Sequence, residues 1–239
     1  MKRGLEVHER KGAIRTIKSG FGRFLSRWSS KFSRKGLYEF LIAEFNAIPA
    51  GSKVLNVGSG GEVGKTLDTV AAAKGFAVTS MDIDPARNPD LVADLMDSGL
   101  PSNSYDALVL SEVLEHIKVP HVAIAEVHRI LKPGGRVIIT APLMFPLHDR
   151  PADFYRFTKY GLAYLLQDFR EITIRERDTW AESLLVVPIR LLFEKGAMCR
   201  IVGGGFLVMS LVLHPIAVVL GRLCRTDFLT TGYSVTAVK

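Results

Sequence analysis

Cysteine is scarce in this chain. Only Cys199 and Cys224 occur in 239 residues, too few for a disulfide scaffold and without the spacing of a metal knuckle. They read as reduced thiols of a cytosolic compartment, and a structural zinc is not expected. No apolar run follows the first basic residues, so no secretory signal is predicted. No internal repeat is present. Acidic residues are nearly missing from the first 35 positions, where Glu6 and Glu9 face eleven Lys and Arg for a net +9. The remainder holds 20 basic and 22 acidic residues, a net −2. The overall +7 is therefore the charge of an arm, not of a basic binding surface on a folded body.

What is present points to a globular protein: 48% hydrophobic and 23% charged residues support one domain of ordinary size with appendages. We divide the chain into a basic arm (1–35), a body (36–180 with 226–239) and an apolar insertion (181–225). In the arm, Ile14, Ile17, Phe21, Phe24, Leu25, Trp28 and Phe32 recur at spacings of three and four. That spacing predicts a basic amphipathic helix, whose aromatic face would enter a headgroup boundary while its cations meet anionic lipid. Gly12, Gly20 and Gly22 weaken it as a free helix. A disordered tail, a helix capping the core, or a mitochondrial presequence are the competing readings, with Glu6 and Glu9 counting against the last.

The segment from Ile201 to Gly221 contains one ionisable group, His214, and is long enough to span a bilayer. A single crossing would strand the β-branched tail 230–239 on the wrong side of the membrane, and Gly203, Gly204, Gly205 and Pro215 oppose one straight helix. A helical hairpin with Leu184–Phe193, dipping into or lying on one leaflet, is expected. The alternative is a buried helical lid on the body.

Between Lys53 and about Thr140, short apolar runs alternate with helical stretches. Strands are expected at Lys53–Val57, Phe76–Met81, Leu91–Ala93, Asp106–Leu110 and Gly135–Ala141, each followed by a small or acidic residue. This is the pattern of a doubly wound α/β sheet with a ligand across the strand ends. Gly58, Gly60 and Gly61 follow the first strand, where a Cβ would collide with a ligand passing close to the backbone. The turn resembles a P-loop lacking its first glycine, since Ser59 stands there, and a dinucleotide fingerprint whose third glycine is Val63. Asp82, 22 residues past Gly60 at the end of the second strand, is placed to take two ribose hydroxyls. A nucleoside is then the ligand to test. Ser111 and Glu112 stand where a P-loop enzyme would need a magnesium-holding aspartate.

The stretches VLNVGSGG (54–61), SMDIDP (80–85), VADL (92–95), SYDALVLSEVLEHI (104–117) and RILKPGGRVIITAP (129–142) resemble the class I S-adenosylmethionine-dependent methyltransferases, in particular the branch of quinone and small-molecule methylases. The resemblance covers about residues 35–178 and weakly the final strand. It implies a Rossmann-like, mostly parallel sheet with an antiparallel last strand, and S-adenosylmethionine as cofactor. Position by position, it implies that Gly58 and Gly60, with Asn56 and Ser59 beside them, pass under the methionine part, that Asp82 and Ile83 meet the ribose, that Asp94 and Leu95 frame the adenine, and that Ser111 lies near the sulfonium. Asn56 stands where the family usually has a carboxylate, and Glu62 where a third glycine is common.

The chemistry of a sulfonium methyl donor asks for a positioned nucleophile and, for oxygen or nitrogen acceptors, removal of a proton. Polar groups for this are concentrated at 147–158, which supplies His148, Asp149, Asp153, Tyr155 and Arg156. His148 is a candidate general base or a brace of its turn, and Arg156 a candidate holder of an anionic acceptor. His116 is a second catalytic candidate with a pocket-wall role as the alternative. His121 and His128 read as surface groups, and Phe154, Tyr155 and Phe157 as packing or pocket wall. Taken together, a small or amphiphilic acceptor such as a lipid-linked glycan or a quinone precursor, methylated by a cytoplasmic protein peripheral to the membrane, is the expected function. The loop also resembles one of bacterial methyltransferases associated with envelope polysaccharide genes. The rival is a non-catalytic membrane adaptor with the same fold. A nucleic-acid partner is not expected, because the body has no basic stripe and no N/D-P-P-Y-type clamp.

Overall fold

Successive side chains of β1 (Lys53–Val57) and β4 (Tyr105–Ser111) face opposite sides of one sheet, as the two-residue repeat of a strand requires. A computed structural model describes residues 35–239, so the stripe of the basic arm lies outside the described residues. Val54, Ala107 and Val109 pack with α1 (Lys35–Asn46) and α2 (Gly61–Lys74) through Leu37, Leu41, Phe45 and Leu67. Leu55, Val57, Leu108 and Leu110 pack on the other side with α3 (Pro120–Ile130) and α4 (Lys159–Leu165) through Ile124, Val127, Ile130 and Leu162. Covering both faces is what makes these strands read as continuous apolar runs.

Seven strands lie in the order β3-β2-β1-β4-β5-β7-β6. The remaining five are β2 (Ala77–Asp82), β3 (Leu91–Val92), β5 (Leu131–Pro142), β6 (Arg170–Glu176) and β7 (Gly232–Val238). β1 to β5 are parallel neighbours, and β7 runs antiparallel between β5 and β6, in agreement with the doubly wound, mostly parallel sheet expected. The order reverses between β1 and β4, which opens a crevice at their carboxyl ends. β6 is absent from the expected strands. Its sequence REITIRE carries charge at most positions, and only Ile172 and Ile174 pack against the core from this edge.

The apolar segment folds as α5 (Trp180–Ile189), a tight turn at 190–193, and α6 (Ala197–Leu223). The expected break at Gly203–Gly205 and Pro215 does not occur: α6 is one helix of 27 residues. Its small residues serve close packing instead. A Cβ on Gly203 would lie 2.5 Å from the Leu192 nitrogen, and one on Gly221 would strike the Thr179 side chain. Gly203, Leu207, Ser210, Ala217 and Gly221 form the buried stripe of α6, and Ile201, Val208, Val212, Ile216 and Val219 form an exposed one. Asp178 fastens both ends of this excursion. Its carboxylate accepts from Ser183 Oγ at 2.8 Å, Thr230 Oγ1 at 2.9 Å, Thr231 N at 2.8 Å and Thr231 Oγ1 at 2.7 Å.

Candidate active site

The crevice is lined first by the turn after β1. Gly58, Gly60 and Gly61 have φ of +79°, +105° and +68°, the left-handed region that glycine adopts without strain. A Cβ on Gly58 would meet Val113 Cγ2 at 2.5 Å, so this glycine also lets the chain after β4 approach. On Gly60 and Gly61 a Cβ would meet nothing within 4 Å, which leaves bare backbone facing open space. Asn56 in β1 and Ser59 within this turn are buried.

Asp82 ends β2 with 7% of its surface exposed. Its Oδ1 accepts from the Asp84 amide at 2.9 Å, whereas Oδ2 has only long neighbours, Ser59 Oγ at 3.5 Å and Arg87 Nε at 3.8 Å. A buried carboxylate with an underused oxygen beside bare backbone fits the hydroxyls of a ribose. Ser111, at the end of β4, shares a 2.9 Å hydrogen bond with Thr140 Oγ1. Asp94 caps its own turn by accepting from Met96 N at 2.8 Å. Leu95 turns into the core and Ile83 onto the surface, so the structure gathers Asn56, Gly58, Ser59, Gly60, Asp82 and Ser111 around the crevice more closely than these two.

The second half of the site joins the turn after β4 to the loop after β5. Glu115 is fully buried, and neither carboxylate oxygen has a hydrogen-bond partner. Its backbone carbonyl accepts from Phe154 N at 2.8 Å and Tyr155 N at 3.2 Å, while Tyr155 donates its hydroxyl to the Lys118 carbonyl at 2.9 Å. This lacing holds His148 Nε2 at 3.7 Å and His116 Nε2 at 3.9 Å from Glu115 Oε1, with the two rings edge to face at 4.9 Å. Burial pushes the Glu115 carboxyl up, and nearby His148 only partly reverses this. Burial pulls His148 down, but Glu115 and Asp153 more than reverse that, so its imidazolium persists above the usual histidine range.

Arg156 holds Asp153 with both guanidinium nitrogens, at 2.5 and 2.7 Å, and also donates to the Phe145 and Pro146 carbonyls at 3.2 and 3.1 Å. Its donors are thus committed to the loop, and it acts here as a brace where the sequence suggested a holder of anionic acceptor. Arg177 was not singled out by the sequence, and Glu112 was noted only as standing where a P-loop aspartate would be, not as a site residue. They form an ion pair beneath Thr140, which donates to Glu112 Oε1 at 3.1 Å, and Glu112 sits at φ +56° where strand β4 gives way to the turn. A glutamate straight after an apolar strand is the only signal that marked it. His128 stacks edge-on against Phe169 at 5.0 Å, away from this cluster.

The site continues into the apolar excursion. Phe145 lies edge-on to His148 at 5.4 Å, and the Arg190 guanidinium sits over the rings of Phe145 and Phe193 at 4.7 and 4.6 Å.

Comparison with known proteins bears on the family and the fold. Residues 55–139 match the family described as a methyltransferase domain. The chain is 31% identical over 159 residues to the ubiquinone biosynthesis O-methyltransferase of Pseudomonas aeruginosa (strain LESB58), covering 56% of this chain and 64% of that protein. It therefore spans slightly under two thirds of that relative's length. Against the enzyme of the same name from Azotobacter vinelandii (strain DJ) it is 30% identical over 186 residues, 65% of this chain and 75% of the relative. Among solved structures, a SAM-dependent methyltransferase from Archaeoglobus fulgidus superposes with a TM-score of 0.57 at 14% identity, covering 92% of this chain and all (100%) of that one. The [4+2]-cyclase SpnF superposes at 0.56 with 19% identity over 83% and 79% of the two chains.

Proposed function

Because the chain belongs to the class I S-adenosylmethionine-dependent methyltransferases and shares their cofactor, we propose that it methylates an amphiphilic acceptor, such as a lipid-linked glycan, at the cytoplasmic surface of a membrane. When bound, S-adenosylmethionine supplies a sulfonium carrying an activated methyl group. Asp82 would hold its ribose hydroxyls, the backbone of Gly58 and Gly60 its amino-acid part, and Ser111 would lie beside the reacting end. Glu115, His116 and His148 then face the acceptor atom and help to strip its proton. Tyr155 and Arg156 keep the loop that carries His148 in place.

The observation that carries the lipid acceptor is the contact chain His148–Phe145–Arg190–Phe193, which joins the reacting cluster to the apolar excursion. Only 22% of the most apolar stretch of α6 is buried, and by length and composition this helix could cross a membrane. We read it as lying in one leaflet. Asp178 and β7 tie both of its ends to the sheet, Arg200, Arg222 and Arg225 stand near its two ends, and the basic arm adds a charge of +9 for anionic headgroups. In this reading 36–180 with 226–239 form the catalytic domain and 181–225 the membrane-facing insertion. A quinone precursor is the second acceptor class, favoured by the names of the relatives.

Lipid extracts incubated with the protein and a deuterated methyl donor test the acceptor directly. Mass spectrometry should show a labelled amphiphile; label appearing only in water-soluble products would contradict the proposal.

A further inference from the structure

Glu115 poses a physical problem that the methyl-transfer reading leaves open. A fully buried carboxyl group with both oxygens unpartnered is destabilising unless something satisfies it. The two histidines beside it do not do so by ordinary hydrogen bonds. Their Nε2 atoms stand 3.7 and 3.9 Å from Glu115 Oε1, beyond the range of about 2.7–3.2 Å for such bonds.

The other ring nitrogens fix what those Nε2 atoms offer. His116 Nδ1 is 2.6 Å from the Ala152 carbonyl, which only accepts, so the proton of neutral His116 resides on Nδ1. His148 Nδ1 faces the Pro146 carbonyl at 3.3 Å and an Asp153 carboxylate oxygen at 3.4 Å, again acceptors only. Each neutral ring therefore presents an Nε2 lone pair to a carboxylate that is itself rich in lone pairs. Such an arrangement is completed by a positive centre between the three atoms. Imidazoles whose Nδ1–H is held by a backbone carbonyl or a buried carboxylate are what surrounds bound transition metals in proteins. Asp153, 2% exposed and held by Arg156, is well fixed for that supporting role.

Size agrees as well. The donor atoms all lie within 4.8 Å of one another, and bonds of about 2.0–2.2 Å to a tetrahedral ion place its ligands about 3.3–3.6 Å apart. The ring from the loop would draw in by about 1 Å, the difference between these separations. Two imidazoles and one carboxylate suit zinc, manganese or iron(II) rather than calcium or magnesium, which prefer oxygen ligands.

We propose that Glu115, His116 and His148 bind one divalent first-row transition-metal cation, whose open positions hold the acceptor hydroxyl beside the methyl donor. The role of the ion in transfer rests on the methyltransferase reading; the binding site does not. On the ion a hydroxyl becomes more acidic and gives its proton to solvent. The new C–O bond forms from the oxygen lone pair while the C–S bond breaks, its electron pair staying on sulfur.

The test uses the full-length protein stripped with a chelator, dialysed, and titrated with zinc or cobalt(II), magnesium serving as control. One equivalent should bind, with the visible absorption of cobalt in a nitrogen–oxygen site, and affinity should fall at least about tenfold in Glu115→Gln, His116→Gln and His148→Gln. His148 lies in a loop, so its variant reports even if Glu115→Gln unfolds. Absence of saturable binding, or equal binding by wild type and the His148 variant, overturns the proposal. Calorimetry with S-adenosylmethionine on the same samples separates the readings. Cofactor binding without metal binding removes the cation alone and leaves His148 as base; metal binding without cofactor binding removes the methyltransferase reading alone.

Discussion

Asp153 and Glu115 lie in one loop cluster, yet their proton affinities are driven apart. Burial alone would raise Asp153, but Arg156 and the amide of His148 bring it down to about 2. Glu126 behaves likewise: its pairing with Arg129 takes its carboxyl to about 2 against the burial that opposes it, with Ser98 helping. Both groups have lowered values in the folded state. Their contribution is therefore complete above the unfolded value of about 4.5 and is lost as pH falls toward 2. Thermal melts should drop as pH falls below about 4.5, and Glu126→Gln should remove about 1–2 kcal/mol at neutral pH while flattening that drop. A melting profile that is unchanged in the variant across this window would contradict the assignment. At the site, His148→Ala should lower turnover about 10²–10⁴-fold while sparing cofactor affinity, as read by kcat against titration of the cofactor. Asp82 was legible because strand, glycine turn and spacing lie within one stretch of sequence. The cluster of Glu115, His116 and His148 was only half legible, since the two histidines are 32 residues apart and nothing local shows that 152–155 folds over Glu115.

At the scale of elements, the strands that carry the crevice could be read because both of their faces are buried, which leaves continuous apolar runs ending in Gly58, Asp82 and Ser111. Edge strand β6 and the unbroken helix α6 could not. In β6 the apolar signal is confined to Ile172 and Ile174, and in α6 the glycines that predict a break are used for contact with Leu192 and Thr179. Replacing Gly203 by Leu should therefore separate α6 from the turn before it, lowering stability by about 2–3 kcal/mol and exposing 190–205 to protease. Asp178→Ala removes four hydrogen bonds to a charged group and should cost about 2–4 kcal/mol, read as a fall in the denaturant midpoint. An unchanged midpoint would mean that the excursion is held by packing alone.

Across the whole molecule, charge and apolar surface are separated. The basic residues concentrate before the body, and the exposed stripe of α6 lies in the insertion ahead of its last strand, so two separate segments supply the two kinds of contact that an anionic bilayer rewards. In flotation with anionic liposomes the full-length chain should rise with the vesicles, and a chain beginning at residue 36 should rise less, more so at high salt. Recovery of both only in the soluble fraction would contradict membrane docking without touching the methyltransferase assignment.

The central claim is that a buried carboxylate on β2 grips a sulfonium nucleoside against bare glycine backbone. Isothermal titration of wild type and Asp82→Ala with S-adenosylmethionine measures this most directly. Saturable binding at one site per chain, weakened about 10–100-fold by the substitution, is the predicted result. No heat from the folded wild type, or equal affinity in both proteins, would contradict it.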